Sequence, residues 1–261
     1  MNETIKVLMD RHSVRAYEPA SVSAEEKEMI LKATFRAPTA GNMMLYSIID
    51  ISDQALKDKL AETCDHQPFI AKAPLVLLFL ADYQRWYDYY IYSGTKEACM
   101  KNGKEFLAPQ EGDLMLACCD ALVAAQTAVV AAESLGIGSC YIGDVMEQYE
   151  THRDLLELPR YVFPIAMVCF GKPASVEKKG AWQLRYDPKF ILHENRYQRL
   201  MSSEVEEMEK PLREAYYPSG KFPAGSENMA QHNYNRKFSA DFSIELRRSV
   251  KVILENWKLD K

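Results

Sequence analysis

The chain has 261 residues, 48% of them hydrophobic, a length within the range of one large domain and a composition that supports a sizeable core. Its formal net charge of -5 lacks the basic excess of a general nucleic-acid binder, while local basic clusters remain compatible with a small phosphorylated ligand. The opening MNETIKVLMD has neither the basic flank nor the apolar run of a secretory signal, so the expected compartment is the cytoplasm.

In chain order, an amphipathic helix is predicted from Val7 onward, ending near Arg11-His12-Ser13-Val14-Arg15. That segment crowds two guanidinium groups, an imidazole and a hydroxyl into five positions, and Arg offers a planar fork of donors suited to phosphate. In an extended backbone Arg11, Ser13 and Arg15 point one way and His12 and Val14 the other. One face is then left for an anion and one for the interior; the alternative is a helix end with solvated charges. A second helix starts at Ser23, which can cap it, with Glu25 and Glu26 at the positive end of its dipole. Ile30, Leu31, Thr34 and Phe35 give that helix one apolar face, and Pro38 stops it. The loop from Ala37 to Asn42 follows, rich in residues that turn a chain.

Buried strands are predicted at Leu45 to Ile51, Leu75 to Leu80 and Ile165 to Phe170, with a fourth candidate at Ser139 to Ile142. The run Tyr83, Trp86, Tyr87, Tyr89, Tyr90, Tyr92 reads either as an interface or core patch or as a mobile cover over a planar substrate. Leu114 to Leu135 is the most apolar stretch, but Asp120, Gln126 and Glu133 interrupt it. That marks a buried helix rather than a membrane span, with Gly136 as its stop. A helix apolar almost all round must be covered on every side, which points to a central helix shared with a partner subunit.

Gly136-Ile137-Gly138-Ser139 resembles half of a dinucleotide fingerprint, yet it follows a helix and precedes a strand, the reverse of the nucleotide-binding order. Gly143-Asp144 closes that strand where a backbone without a side chain can approach a flat ligand. Residues from about Ser202 to Lys237 read as a surface-running arm, and Phe242, Leu246, Val250, Ile253, Leu254 and Trp257 mark a final amphipathic helix. The pattern is α+β rather than an alternating βαβ series. Six cysteines without a CxxC pair read as reduced core thiols, and five scattered histidines give no zinc spacing and no expected metal. Neither a nucleophile elbow nor a Ser-His-Asp order is present, which favours chemistry carried by a cofactor.

RHSVRAY near the start, APTAGN after the second helix, AAESLGIGSCYIGDV after the long helix and Phe170-Gly171-Lys172-Pro173 together resemble the FMN-dependent nitroreductase family. Arg185-Tyr186-Asp187-Pro188 and His193-Glu194-Asn195-Arg196-Tyr197 resemble its large NADPH-preferring, oxygen-insensitive nitroreductase and flavin reductase branch. The resemblance runs over about residues 5 to 200. It implies a central, mostly antiparallel sheet flanked by helices, and a homodimer with the long helix at its interface. It further implies an FMN-binding domain over 1–200, with 201–261 as an arm and helix packing on the same domain or on the partner subunit.

The site residues are those the resemblance implies. Arg11, His12, Ser13 and Arg15 match the first FMN-binding segment, with Arg11 and Ser13 near the phosphate and ribityl end. Arg15 would lie near the pyrimidine edge, where a fixed cation stabilises the charge of the reduced flavin. Thr39 and Asn42 fall in the loop beside the flavin, and Gln67 faces its ring. Tyr141, Ile142, Gly143 and Asp144 contact the other face or edge, and Arg185 is a second phosphate-binding residue. Two departures stand out. Gln183 replaces a usual Lys, with Lys178 or Lys179 as possible substitutes, and Met44 replaces a more typical Gln in the substrate pocket.

The implied activity is ping-pong, two-electron reduction of nitroaromatics, quinones or free flavin by NADPH or NADH, with small molecules rather than nucleic acid or membrane as partners. Arg196, Arg199, Lys210 and Arg213 read as a 2′-phosphate site or as solvated charges. Two alternatives stay open: a flavin store or sensor with little turnover, and a same-fold enzyme of different reaction such as a reductive dehalogenase.

Overall fold

A computed structural model describes residues 1–19, 22–174 and 184–258. Side-chain caps set the first two helices. Asn2 Oδ1 accepts from the Ile5 N–H at 2.9 Å and opens α1 (Glu3–Asp10), several residues before the predicted start at Val7. Ser23 and Glu26 satisfy each other's backbone N–H groups at the head of α2 (Ala24–Thr34), a reciprocal capping box. There follow β1 (Tyr46–Asp50), α3 (Gln54–Thr63), α4 (Phe69–Lys72), β2 (Leu75–Asp82), α5 (Gln84–Tyr92), α6 (Thr95–Lys101) and α7 (Glu111–Ser134). The chain continues through β3 (Gly138–Ile142), α8 (Tyr149–Leu155), β4 (Val162–Gly171), α9 (Ser202–Tyr216), α10 (Met229–Asn233) and α11 (Asp241–Trp257).

Two compact units result: residues 1–175 with 245–261, and residues 176–244. The first holds a four-stranded sheet of order β1-β2-β4-β3 in which every neighbouring pair is antiparallel. All eight residues of β2 are buried, and their alternation explains why. Val76, Leu78 and Leu80 pack with Leu60, Ala61 and Ile70 on one face. Leu75, Leu77 and Phe79 pack with Ile30 of α2 and alanines of α7 on the other. With both faces covered, the strand reads as an unbroken apolar run instead of an alternating one.

Ala121, Ala124, Ala125, Ala128 and Ala132 bring α7 close against the sheet, and Gly136 ends it. Gly136 takes φ +73, its N–H bonds the Glu133 carbonyl at 3.1 Å, and the Ile137 N–H bonds the Ala132 carbonyl at 3.0 Å. This is a Schellman stop that leads straight into β3. By length and composition α7 could cross a membrane, but its alanine face is packed on protein. Complete covering is not found within one chain: Met115, Leu116, Leu122 and Val123 are 70%, 43%, 42% and 39% exposed. At helical spacing these residues form one apolar face.

The last helix belongs to the first unit from Glu245 onward. Trp257 is 1% exposed and meets Tyr161 edge-on at 5.4 Å, while Arg248 bridges Glu150 and Glu245. The boundaries between the two compact units lie near 175 and 245. Residues 202–237 also differ from a plain arm, since α9 spans fifteen of them. Its Glu, Met, Lys, Leu, Arg and Ala content outweighs Pro211 as a helix former.

The segment after α1 is stitched onto the sheet. Ser13 bridges Ser139 in parallel, Tyr17 bridges Pro173, and the Val14 N–H donates to the Ser139 carbonyl at 2.9 Å. Val14, 1% exposed, lies so close to Gly138 that a Cβ there would sit 2.5 Å from Val14 Cγ2. Tyr17 covers Gly171 in the same way, and its hydroxyl donates to the Val14 carbonyl at 2.8 Å. Gly138→Ala is expected to lower unfolding stability by about 1–3 kcal/mol through overpacking, read from urea midpoints, with partial recovery when Val14→Ala is added. An unchanged midpoint for Gly138→Ala would contradict this packing.

Candidate functional site

The backbone leaves α1 in extended form at Arg11 (φ -57, ψ 130), and the expected alternation holds at Val14 and Arg15 but not at His12, which is half-buried and acts with Arg11 on Glu133. Val14 points inward, while Arg15 is exposed with its guanidinium 5.9 Å from the Phe69 ring centroid. Arg11, Ser13 and Arg15 all act on the Cys140 thiol of β3. Burial raises that thiol's pKa, and Arg15, a hydrogen bond with Ser13, and Arg11 oppose the rise. Burial likewise pushes Tyr141 up to about 12 against the nearby charge of Arg11. Three donors thus converge on the outer end of β3.

A second group meets the same strand end. Asp65 and His66 both adopt left-handed backbone, at φ 58 and 50, a conformation costly for residues other than glycine. They turn Gln67 so that its Nε2 donates to the Cys64 carbonyl and to Asp144 Oδ2, each at 2.9 Å. Both amide hydrogens are used, which fixes the amide orientation and leaves Oε1 as the acceptor. Asp144 begins a single 3₁₀ turn just after Gly143. Ile142 is 1% exposed and packs in the core, so it offers backbone rather than side chain to a ligand.

The loop between α2 and β1 is held differently. Gly41, Asn42 and Met44 are left-handed, at φ 55, 57 and 50. Asp120 of α7, 5% exposed, accepts from the Thr39 hydroxyl and from the Ala40 and Leu45 N–H groups, the latter two at 3.0 and 3.1 Å. Thr39 Oγ1 accepts in turn from the Met44 N–H at 2.8 Å. On the opposite edge Trp86 Nε1 donates to the Met43 carbonyl at 2.7 Å, and Arg85 donates to that of Met44. Thr39 is therefore committed to the loop's own structure, whereas Asn42 stays exposed. Met44 is partly buried and packs against the core shared by α2, α7 and β2. Trp86 and Tyr87 of the aromatic run pack on a third core cluster, and Tyr89 and Tyr92 are exposed.

Arg11, Ser13, Arg15, Gln67, Tyr141 and Asp144 are thus gathered around one strand end, with His12 beside Arg11 and its Nδ1 3.3 Å from the Asp10 carbonyl. Arg185 lies in the second unit, where Nη1 donates to the Leu184 carbonyl at 3.2 Å. Arg213 is engaged by Glu209 at 2.8 Å. Lys178, Lys179 and Gln183 fall outside the described residues. Three acidic residues escaped the sequence reading. Asp120 and Glu133 were visible as breaks in an apolar run. Glu133 is raised in pKa by burial, with Arg11 and His12 opposing. Glu147 carried no signal in the sequence.

Comparison with known proteins shows the family. The sequence model described as Nitroreductase family matches residues 8–172. An FMN reductase [NAD(P)H] of Bacillus subtilis is 34% identical over 197 residues, 76% of this chain and 75% of the relative. An oxygen-insensitive NADPH nitroreductase of Salmonella typhimurium is 30% identical over 220 residues, 84% and 85% of the two chains. The solved structure of B. megaterium NfrA2 superposes over 100% of both chains with a TM-score of 0.77 at 27% identity.

Glu147 is 5% exposed, and burial, reinforced by Asp144, Asp65 and Glu245, pushes its carboxyl up to about 7. Because the folded pKa is raised, its favourable contribution is complete below the unfolded value of about 4.3 and is lost as pH rises through about 7. Glu147→Gln should raise the thermal midpoint above pH 7 and flatten its decline from acid to neutral pH. Coincident stability profiles for parent and variant would contradict the assignment.

Proposed function

The chain belongs to the nitroreductase family, and on that premise we propose that it is an FMN-dependent NAD(P)H oxidoreductase acting on nitroaromatic, quinone or flavin acceptors, as a cytoplasmic homodimer. One observation carries the assignment of the site: Arg11, Ser13, Arg15, Gln67, Tyr141 and Asp144 converge at the end of β3, within the residues matched by the family.

The donor set fits FMN. Two guanidinium groups and a hydroxyl on one extended face suit a phosphate with its polyol, and the fixed Gln67 Oε1 can accept from a ring N–H. When bound, FMN supplies two-electron exchange between NAD(P)H and an acceptor. The protein supplies placement and charge. Arg11 and Ser13 orient the phosphate end. Arg15, beside the Phe69 ring, offers a positive charge to the pyrimidine edge, where a ligand that excludes water strengthens the interaction. Gly143 lets the backbone come close, while Tyr141 borders the phosphate side. The open face of α7 at Met115, Leu116, Leu122 and Val123 supports a partner subunit seated there.

Anaerobic mixing with NADPH and with NADH should bleach the bound flavin, and a nitroaromatic or quinone should restore it. Yellow protein that neither donor bleaches would favour the store or sensor reading instead. Arg15→Ala should weaken FMN binding by roughly tenfold or more, the scale of one charge-assisted hydrogen bond, and slow flavin reduction; unchanged affinity and rate would remove Arg15 from the site. Sedimentation at micromolar concentration should give a dimer, and a flavin-loaded monomer would contradict the interface on α7.

A further inference from the structure

We propose that Asp120 is a positioning residue for the cofactor: a buried carboxylate that holds residues 39–45 in the one backbone shape able to border the flavin. The inference rests on the FMN reading above, since it assigns a purpose to the loop carrying Thr39 and Asn42.

The argument starts from cost. A carboxylate on the buried face of a helix, as Asp120 is on α7, loses its hydration, and such a charge is tolerated only when donors replace the lost water. Among the described residues no cation pairs with Asp120. Its compensation comes wholly from the loop. Oδ1 takes the Ala40 N–H, and Oδ2 takes the Leu45 N–H and the Thr39 hydroxyl. The Met44 N–H reaches the same carboxylate through Thr39 Oγ1. Four donors of a seven-residue loop thus converge on one side chain, directly or through one hydroxyl.

That convergence explains the backbone. Asn42 and Met44 occupy left-handed conformations, which for a residue with a Cβ cost about 1–2 kcal/mol. The strain persists because the surrounding bonds over-determine it. Asp120 collects the N–H groups beneath the loop, and Arg85 and Trp86 collect the Met43 and Met44 carbonyls above it. Gly41 and Asn42 are left at the surface, displayed rather than packed. A mere connection between α2 and β1 has no need of a buried charge. A loop that must present one edge to a planar ligand does, because the carboxylate replaces loop mobility with a fixed surface before the ligand arrives. Asparagine cannot substitute: its amide keeps one acceptor and turns an NH₂ toward an N–H or hydroxyl donor.

The test is FMN titration into full-length apoprotein, followed by flavin fluorescence and by the visible circular dichroism of the bound flavin, alongside thermal unfolding of the apoprotein. Asp120→Asn should weaken FMN binding by about tenfold or more, equivalent to 1.4 kcal/mol or more, and alter the dichroism. Thr39→Val should weaken binding in the same direction by a smaller factor, while Thr39→Ser, which keeps the hydroxyl, should restore affinity and spectrum. The double variant Asp120→Asn/Thr39→Val should be no weaker than Asp120→Asn alone, since both act through one network. If Asp120→Asn does not fold, the Thr39 pair carries the same comparison. Parent and variants with equal affinity and identical dichroism, differing only in thermal midpoint, would overturn the positioning role and leave the FMN site standing. Absence of FMN binding by the parent protein would instead overturn the site and the proposal together.

Discussion

A single buried carboxylate sits where the fold can least accommodate an unsatisfied charge. Asp120 lies on the face of α7 that packs against the sheet, among alanines chosen by the need for close approach. Its hydration is lost on folding, so the chain must bring donors to it, and the donors available are those of the 39–45 loop. The entry to β1, the placement of Leu45 in the core, and the strained turn before it follow from that requirement. Apolar packing and polar satisfaction are here one condition: α7 reaches the sheet only if the loop closes over Asp120.

The segment that carries Arg11, Ser13 and Arg15 obeys a packing rule instead of an electrostatic one. Residues 13–17 lie against Gly138 and Gly171 at distances that leave no room for a Cβ. Val14 and Tyr17 are the plugs that fill those spaces. Once they are seated, the pleat of an extended chain turns Arg11, Ser13 and Arg15 to the opposite side. Cation placement is thus a by-product of where two apolar side chains fit. The guanidinium groups sit beside the buried Cys140 and the half-buried Tyr141, and burial raises the pKa of both. A phosphorylated, planar ligand meets charge in a region of weakened screening.

Much of this was legible in the sequence, for identifiable reasons. Caps at Ser23, the stop at Gly136 and the four apolar strands are local signals, and each appears within a few residues of its expected place. The alternation in Arg11 to Arg15 was readable because strand geometry leaves only two faces. What could not be read was contact between distant segments. Asp120 looked like an interruption in an apolar run, and nothing in its neighbours announced that Thr39, eighty-one positions away, would bond it. The left-handed backbone of Met44 was equally invisible, since no propensity favours it. The composition of residues 202–237 suggested an arm without saying what structure it takes, and α9 forms there from its helix formers. The apolarity of α7 pointed to a cover shared with a partner subunit, and within this chain Met115 and Leu122 are open.

Amide hydrogen exchange of the full-length protein, with and without saturating FMN, is the most direct measurement of where the cofactor binds. Slowed exchange should appear at residues 11–15, 39–45, 64–67 and 139–144, and the remaining first unit should change little. FMN that binds but protects only residues 202–237, around the cavity of about 450 Å³ lined by Tyr186, Tyr216, Tyr217, His232 and Arg236, would place the flavin elsewhere and contradict the cradle at the end of β3.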